Sequence, residues 1–145
     1  MKVKVEVVNG LEEPEITIKC DEYNSQIEEI VKFLESVKVT LIGKKDGESY
    51  VIDLQDIYYF ESVENHTFAY AEKEVYEVSY RLYEIAEMYK NLSFIQASRT
   101  VVVNINYIKK INTLVNGRIL AVLENGEKMI ITRVYAQDFK RKLIK

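Results

Sequence analysis

The sequence predicts an α+β fold that is mostly β, and three observations carry that expectation. Between residues 39 and 132 the apolar residues come in short runs, several alternating with period two, as in VTLIGKK, ESYVIDL and HTFAYAE. Two of these runs flank Asp46-Gly47 and two more meet at Asn125-Gly126, dipeptides that accept positive φ and so close tight hairpins. Helical spacing is confined to three stretches, behind Ser25, over 80–91 and in the last residues.

Taken in order, KVKVEVV (2–8) alternates as a strand, NGLEEP reads as a turn, and EITIKC (15–20) as a second strand. Ser25-Gln-Ile-Glu28 fits a capping box, the Ser hydroxyl accepting from the third amide while Glu28 reaches back to the cap amide. Ile27, Ile30, Val31 and Leu34 then fall on one helical stripe. Residues 1–38 thus form a small strand-strand-helix segment, and a separate unit spans 39–145. In the second unit VTLIGKK and ESYVIDL form a hairpin, and the apolar run of DIYYFES (56–62) predicts a strand buried on both faces. HTFAYAE and EVYEVS (66–79) form another hairpin. YRLYEIAEMYKN (80–91) places Leu82, Ile85, Ala86 and Tyr89 in helical register, with Ser79 as its cap. GRILAVLE and KMIITR form the last hairpin. The closing helix, VYAQDFKRKLI, sets Tyr135, Phe139 and Leu143 on one face and Lys140, Arg141 and Lys142 largely elsewhere. With one proline and no Pro/Gly/Ser linker, the boundary near 38–43 is a change of texture, not a tether.

Composition narrows the function classes. Nearly half of the 145 residues are hydrophobic, enough for a packed core. Cys20 is the single cysteine and His66 the single histidine, so neither a disulfide framework nor a protein metal cage is available. No cofactor is expected, and none of the nucleotide-binding fingerprints occurs. No apolar run approaches the roughly 20 residues of a spanning helix. The N-terminus alternates Val with charge, unlike a signal peptide, so no membrane insertion and a cytoplasmic location are expected. His66 has Glu64 nearby but no nucleophile motif, which argues against an enzyme. The 11 tyrosines lie mostly within strand and helix patterns, where they pack in cores or across strands.

Net charge is −3, but its distribution is uneven. Residues 1–43 hold 5 Lys/Arg against 9 Asp/Glu, residues 44–92 hold 5 against 11, and residues 93–145 hold 10 against 3. A basic C-terminal part at +7 is a hint of a polyanionic partner, set against the plainer reading of a solvated face. The helices near 80–91 and 134–144 are separated by mostly strand signal and do not make a helix-turn-helix.

From DIYYFES onward the sequence resembles the LytTR DNA-binding domain of bacterial transcription regulators. DIYYFESVENHTFAY is similar to the opening strand and loop of that family. YRLYEIAEMYKNLSFIQASRTVVVNINYIKKI resembles its central block of helix, F-x-x-x-x-R-[ST] segment, then V-V-N and an apolar strand. NGRILAVLENGEKMIITRVYAQDFKRKL resembles its closing hairpin, [ST]-R junction and last helix. The resemblance implies an elongated arrangement of short β-sheets with a few helices that sets loops into successive major grooves of double-stranded DNA.

It also implies base- or phosphate-contacting positions: His66 with Asn65, Arg99 with Ser98, and Arg133 at the start of the last helix. Both arginines offer a planar fork suited to guanine O6 and N7. Lys109, Lys110, Arg118, Lys128, Lys140, Arg141 and Lys142 are candidates for the DNA backbone. For each there is a plainer alternative. His66 serves as a capped surface residue, and Arg99 as the partner of an acidic neighbour. Residues 1–38 are too short for a receiver domain and suit homodimerisation or docking of a protein partner. The resemblance thus implies a receiver-less regulator, a homodimer on repeated half-sites. The competing reading is a cytoplasmic interaction or sensory module with the same fold and no specific operator.

Overall fold

The computed structural model describes residues 1–143, and they divide into two compact units, residues 1–37 and the chain from residue 38 on. In the first unit the only regular element is helix α1 (Ser25–Ser36). Its cap is Asn24, not the expected Ser25: extended Asn24 accepts from the Ile27 amide through Oδ1 at 3.0 Å. Asn is as good a cap as Ser, which leaves Ser25 as the first helical residue. Glu28 pairs with Lys32 one turn on, at 3.3 Å, instead of closing a capping box. The strands expected at 2–8 and 15–20 do not form. A lone two-stranded hairpin is marginal in water, and these residues are almost all exposed.

The second unit is built on an antiparallel seven-stranded sheet and an antiparallel three-stranded one. Strands β1 (Thr40–Lys45) and β2 (Glu48–Asp53) form the first hairpin, where Asp46 (φ 51°) and Gly47 (φ 78°) make the two-residue turn that the dipeptide predicts. β3 (Tyr59–Val63), β4 (His66–Tyr70) and β5 (Val75–Val78) form a meander. Helix α2 (Leu82–Met88) follows, then β6 (Phe94–Gln96) and β7 (Val101–Asn104). The strand order is β2-β1-β5-β4-β3-β7-β6. In the smaller sheet β9 (Ile119–Leu123) lies between β8 (Ile108–Thr113) and β10 (Lys128–Ile131), and helix α3 (Arg133–Leu143) closes the described chain. Residue 144, at the end of the expected last helix, lies outside the described residues.

Helix α2 is shorter than the predicted 80–91 and is not capped by Ser79. Arg81 occupies the cap position, and its amide donates to Glu84 Oε1 at 3.0 Å. β5 carries extended backbone through Val78, leaving Ser79 and Tyr80 in a bend. The Asn125-Gly126 hairpin forms, but through a three-residue loop. The Leu123 amide bonds Glu127 O at 2.8 Å, and Asn125 Oδ1 accepts from the Glu127 amide at 3.0 Å.

The apolar run through β3 is explained by burial on both sides. Phe60 packs with Ala69 and Val102 against Leu82 and Ile85 of α2 and Tyr89 just after it. Tyr59 joins Tyr58 and Val103 in a second core, against Ile119, Ala121, Leu123 and Ile131 of the small sheet and Ala136 and Phe139 of α3. Period-two alternation on β3 and β7 therefore feeds two cores at once. The tyrosines pack as expected: Tyr58 stacks on Tyr107 at 3.9 Å and Tyr59 on Tyr70 at 4.4 Å between ring centroids. Burial pushes the Tyr59 hydroxyl up to about 12, so the ring stays neutral between the sheets.

The V-V-N segment has a structural reason for its Asn. Asn104 is 1% exposed, and its Nδ2 donates to Ile57 O at 2.9 Å while Oδ1 accepts from the Asn106 amide at 3.1 Å. Its own amide donates to Tyr58 O at 2.8 Å. One side chain thus clips the end of β7 to the entry of β3. Asn104→Leu is expected to destabilise the second unit by about 1–3 kcal/mol, because Ile57 O and the Asn106 amide lose their partner. A urea midpoint unchanged from wild type would contradict this role.

Candidate nucleic-acid interface

Three turns meet at one end of the second unit, and backbone hydrogen bonds set their spacing. The first is the β3–β4 turn, in which Glu64 (φ 50°) and Asn65 (φ 67°) are both left-handed between paired Val63 and His66. Asn tolerates that conformation through its short polar side chain; Glu pays roughly 1–2 kcal/mol for it. The second is the β6–β7 turn. Here the Ala97 and Ser98 amides both donate to Val101 O, at 2.9 and 3.3 Å, and the Thr100 amide donates to Ser98 Oγ at 3.2 Å. Ser98 therefore shapes the turn on which Arg99 stands. The third is the junction Thr132-Arg133 at the start of α3.

Two cross-links join these turns. The Ser62 amide donates to Thr100 O at 2.8 Å, tying the first to the second. The Thr132 amide donates to Ala97 O at 2.9 Å, tying the second to the third. A fourth segment, the β8–β9 loop, joins through Gly117 (φ 75°). A Cβ there would stand 3.2 Å from Arg133 Cγ, so the Arg133 stem lies directly on the loop backbone. Positions far apart in sequence thus share one edge of the fold.

The side chains at this edge differ in how free they are. Arg99 and Arg133 are exposed, and neither forms an ion pair among the described residues. His66 is also exposed, but its Nδ1 lies 2.7 Å from Glu77 Oε1 on the neighbouring strand. Only an Nδ1–H can donate to a carboxylate, so neutral His66 presents Nε2 as an acceptor. It becomes a donor there only when protonated. A neutral His66 held in this way has no free ring N–H to offer a base acceptor.

The structure also divides the backbone candidates. Arg118, next to Gly117, lies at the Arg133 end of the small sheet, where Thr113, Ile119 and Ile131 align. Lys110 and Lys128 flank Val122 at the opposite end, roughly 10 Å away at 3.3 Å per residue, with Lys109 in the bulge beside them. Lys140 is exposed on α3, and Arg141 pairs with Asp138 at 3.6 Å. Lys142 is committed to the fold: its Nζ donates to Lys90 O and Phe94 O, both at 2.7 Å, fastening α3 to the loop after α2 and to the first residue of β6.

Sequence reasoning missed Arg81 and Lys44. Together with Asn65, His66, Glu77 and Tyr80 they line a groove of about 310 Å³ beside the first turn. The signal for them was absent from local sequence. Lys44 reaches this place because β5 pairs with both β4 and β1, setting Lys44 opposite Glu77. Among the described residues no cluster of His, Cys, Asp or Glu could hold a metal, and no helix is long and apolar enough to cross a membrane.

Known proteins carry the same pattern. The family model of the LytTr DNA-binding domain matches residues 47–144. An HTH-type transcriptional regulator of Staphylococcus aureus is 25% identical over 145 residues, covering 99% of this chain and 98% of that protein. The sensory transduction protein LytT of Bacillus subtilis is 34% identical over 98 residues, which cover 67% of this chain and 41% of LytT. A solved LytTr DNA-binding domain from Bacillus cereus superposes with a TM-score of 0.70 at 26% identity, over 75% of this chain and all of that one. In the present chain α2 and α3 are separated by five strands, so these helices form no helix-turn-helix. A mostly β unit with this strand order, this family match and this structural neighbour belongs to the LytTr DNA-binding domain family.

Proposed function

We propose that this chain is a transcription regulator that reads specific sequences in double-stranded DNA by inserting the edge formed by the three turns into successive major grooves. The observation that carries the reading is the pair of cross-links, Ser62 to Thr100 and Thr132 to Ala97, which hold two unpaired arginines and the His66 turn at one edge. Family membership supplies the ligand class, duplex DNA. Arg99 and Arg133 read guanine O6 and N7, while Asn65 and the Nε2 of His66 complete the readout at the first turn. Arg118 and Arg81 contact flanking phosphates, and Lys109, Lys110, Lys128 and Lys140 add weaker attraction. Ser98 acts by shaping the turn under Arg99. The regulator works as a homodimer on repeated half-sites inside the cell.

With a net charge of −3, non-specific affinity is low and discrimination rests on few side chains. Sites selected from a random duplex pool, followed by gel-shift competition against bulk DNA at two salt concentrations, test the reading. Arg99→Ala and Arg133→Ala are each expected to lower the preference for the selected site about 10- to 100-fold, in line with about 1–3 kcal/mol per bidentate contact. Lys110→Ala should weaken all sequences alike and flatten the salt slope by about 0.9. Undiminished selectivity in both arginine variants would refute the site. A steep salt slope with no preferred sequence would favour an interaction module without an operator.

Gly117→Ala isolates the support under Arg133. Its positive φ and the 3.2 Å approach to Arg133 Cγ predict a stability loss of about 1 kcal/mol and a displaced guanidinium. Selectivity should fall toward that of Arg133→Ala while the fold is kept. Wild-type selectivity in a folded Gly117→Ala protein would dissociate the loop from the arginine.

A further inference from the structure

Residues 1–37 form a unit in which no side chain is fully buried. Val3, Val5 and Val7 are 82%, 85% and 93% exposed, yet they alternate with Lys2, Lys4 and Glu6 in the period of a strand. The strand patterns beyond residue 39 find pairing partners; this one does not. A strand with a bare apolar face and unpaired peptide groups is a template for another chain.

We propose that residues 2–8 of two copies pair as an antiparallel ribbon whose two-fold axis passes through Val5. The commitment to a second copy comes from the register that this sequence offers to itself. With Val5 opposite Val5, Lys4 stands opposite Glu6 twice and Val3 opposite Val7 twice. Opposite charges face each other across the strands, and six valines share the other face. Neighbouring registers are worse. An axis through Lys4 sets Lys4 against Lys4, and an axis through Glu6 sets Glu6 against Glu6. In-register parallel pairing opposes like charges at every charged position. Within one arm Lys4 Nζ already lies 2.7 Å from Glu6 Oε1, so both charges occupy one face and a copy would close a ring of alternating sign. A bare ribbon needs a covering layer. Helix α1 of the same unit carries the half-buried stripe of Ile27, Ile30, Val31 and Leu34, with Phe33 67% exposed beside it.

This pairing gives the homodimer of the proposed function its surface and depends on that reading only for its biological use. It is tested on the full chain without DNA, by sedimentation and by cysteine cross-linking in a Cys20→Ser background. The wild-type chain should sediment as a dimer and Lys4→Glu as a monomer, with the double swap Lys4→Glu/Glu6→Lys restoring the dimer. Val5→Cys should oxidise readily to a linked dimer, since paired Cα atoms stand about 4.5–5.5 Å apart. Val3→Cys alone should not, its copies lying roughly 13 Å apart along the ribbon, whereas Val3→Cys mixed with Val7→Cys should. A monomeric wild type, equal cross-linking at positions 3 and 5, or failure of the double swap to rescue would overturn the inference. A dimer that selects no operator would refute the DNA reading alone, and a monomer that selects one would refute the arm pairing alone.

Discussion

The second unit depends on one constraint, that β3 and β7 are buried on both faces. Phe60 and Val102 point into the core beneath α2, whereas Tyr59 and Val103 point into the core shared with the small sheet and α3. Because the side-chain period of a strand is two, a slip of one residue would exchange the two cores and expose neither cleanly. Register here is therefore strongly specified, and Asn104 adds a polar check by meeting Ile57 O and the Asn106 amide together. Phe60, Ile57, Val102 and Val103 have no exposed surface, and removing such a large ring typically costs about 3–5 kcal/mol.

That register also fixes the working edge. Once β3 pairs with β4 and β7, the turns at their ends have no freedom to move apart, and the peptide hydrogen bonds from Ser62 and Thr132 complete the connection. The backbone is thus preorganised while Arg99 and Arg133 keep their side chains in solvent. Such a division suits the proposed readout: little main-chain ordering is left for a binding event, and the long side chains stay free to adapt. His66 is more constrained, since Glu77 holds one ring nitrogen and leaves only the other free for a partner.

The acidic character of the chain has a place in this arrangement. Most carboxylates precede residue 93, whereas half of the basic residues lie beyond it, largely in the segments that build the small sheet and α3, where acidic residues are few. Not all of that positive charge is available to a partner. Lys142 commits its ammonium to two carbonyls, and Asp138 partly offsets the exposed Arg141 nearby, while Arg118 remains exposed beside Gly117. A count of basic residues overstates the attractive face; their hydrogen bonds decide it.

The sequence by itself determined three hairpins, the β3 strand and two helices of the second unit, because hairpin dipeptides and periodic alternation are local signals; β6 and β8, short or weakly alternating, carried no such mark. Asp46-Gly47 folds as its backbone preferences dictate, and the double-sided burial of the DIYYFES strand was readable from its unbroken apolar run. Caps were less legible: Asn24 took the cap from adjacent Ser25, an equally good cap residue, and the bend at Ser79-Tyr80 moved the second helix start to Arg81, whose amide bonds Glu84. The alternation at 2–8 was equally clear and yet gave no strand, for pairing needs a partner that local sequence does not contain. Only the tertiary structure brought Arg81 and Lys44 beside His66, aimed His66 at Glu77, and removed Lys142 from the surface charge. Those are contacts between distant segments, created by sheet order and helix packing, and no local pattern encodes them.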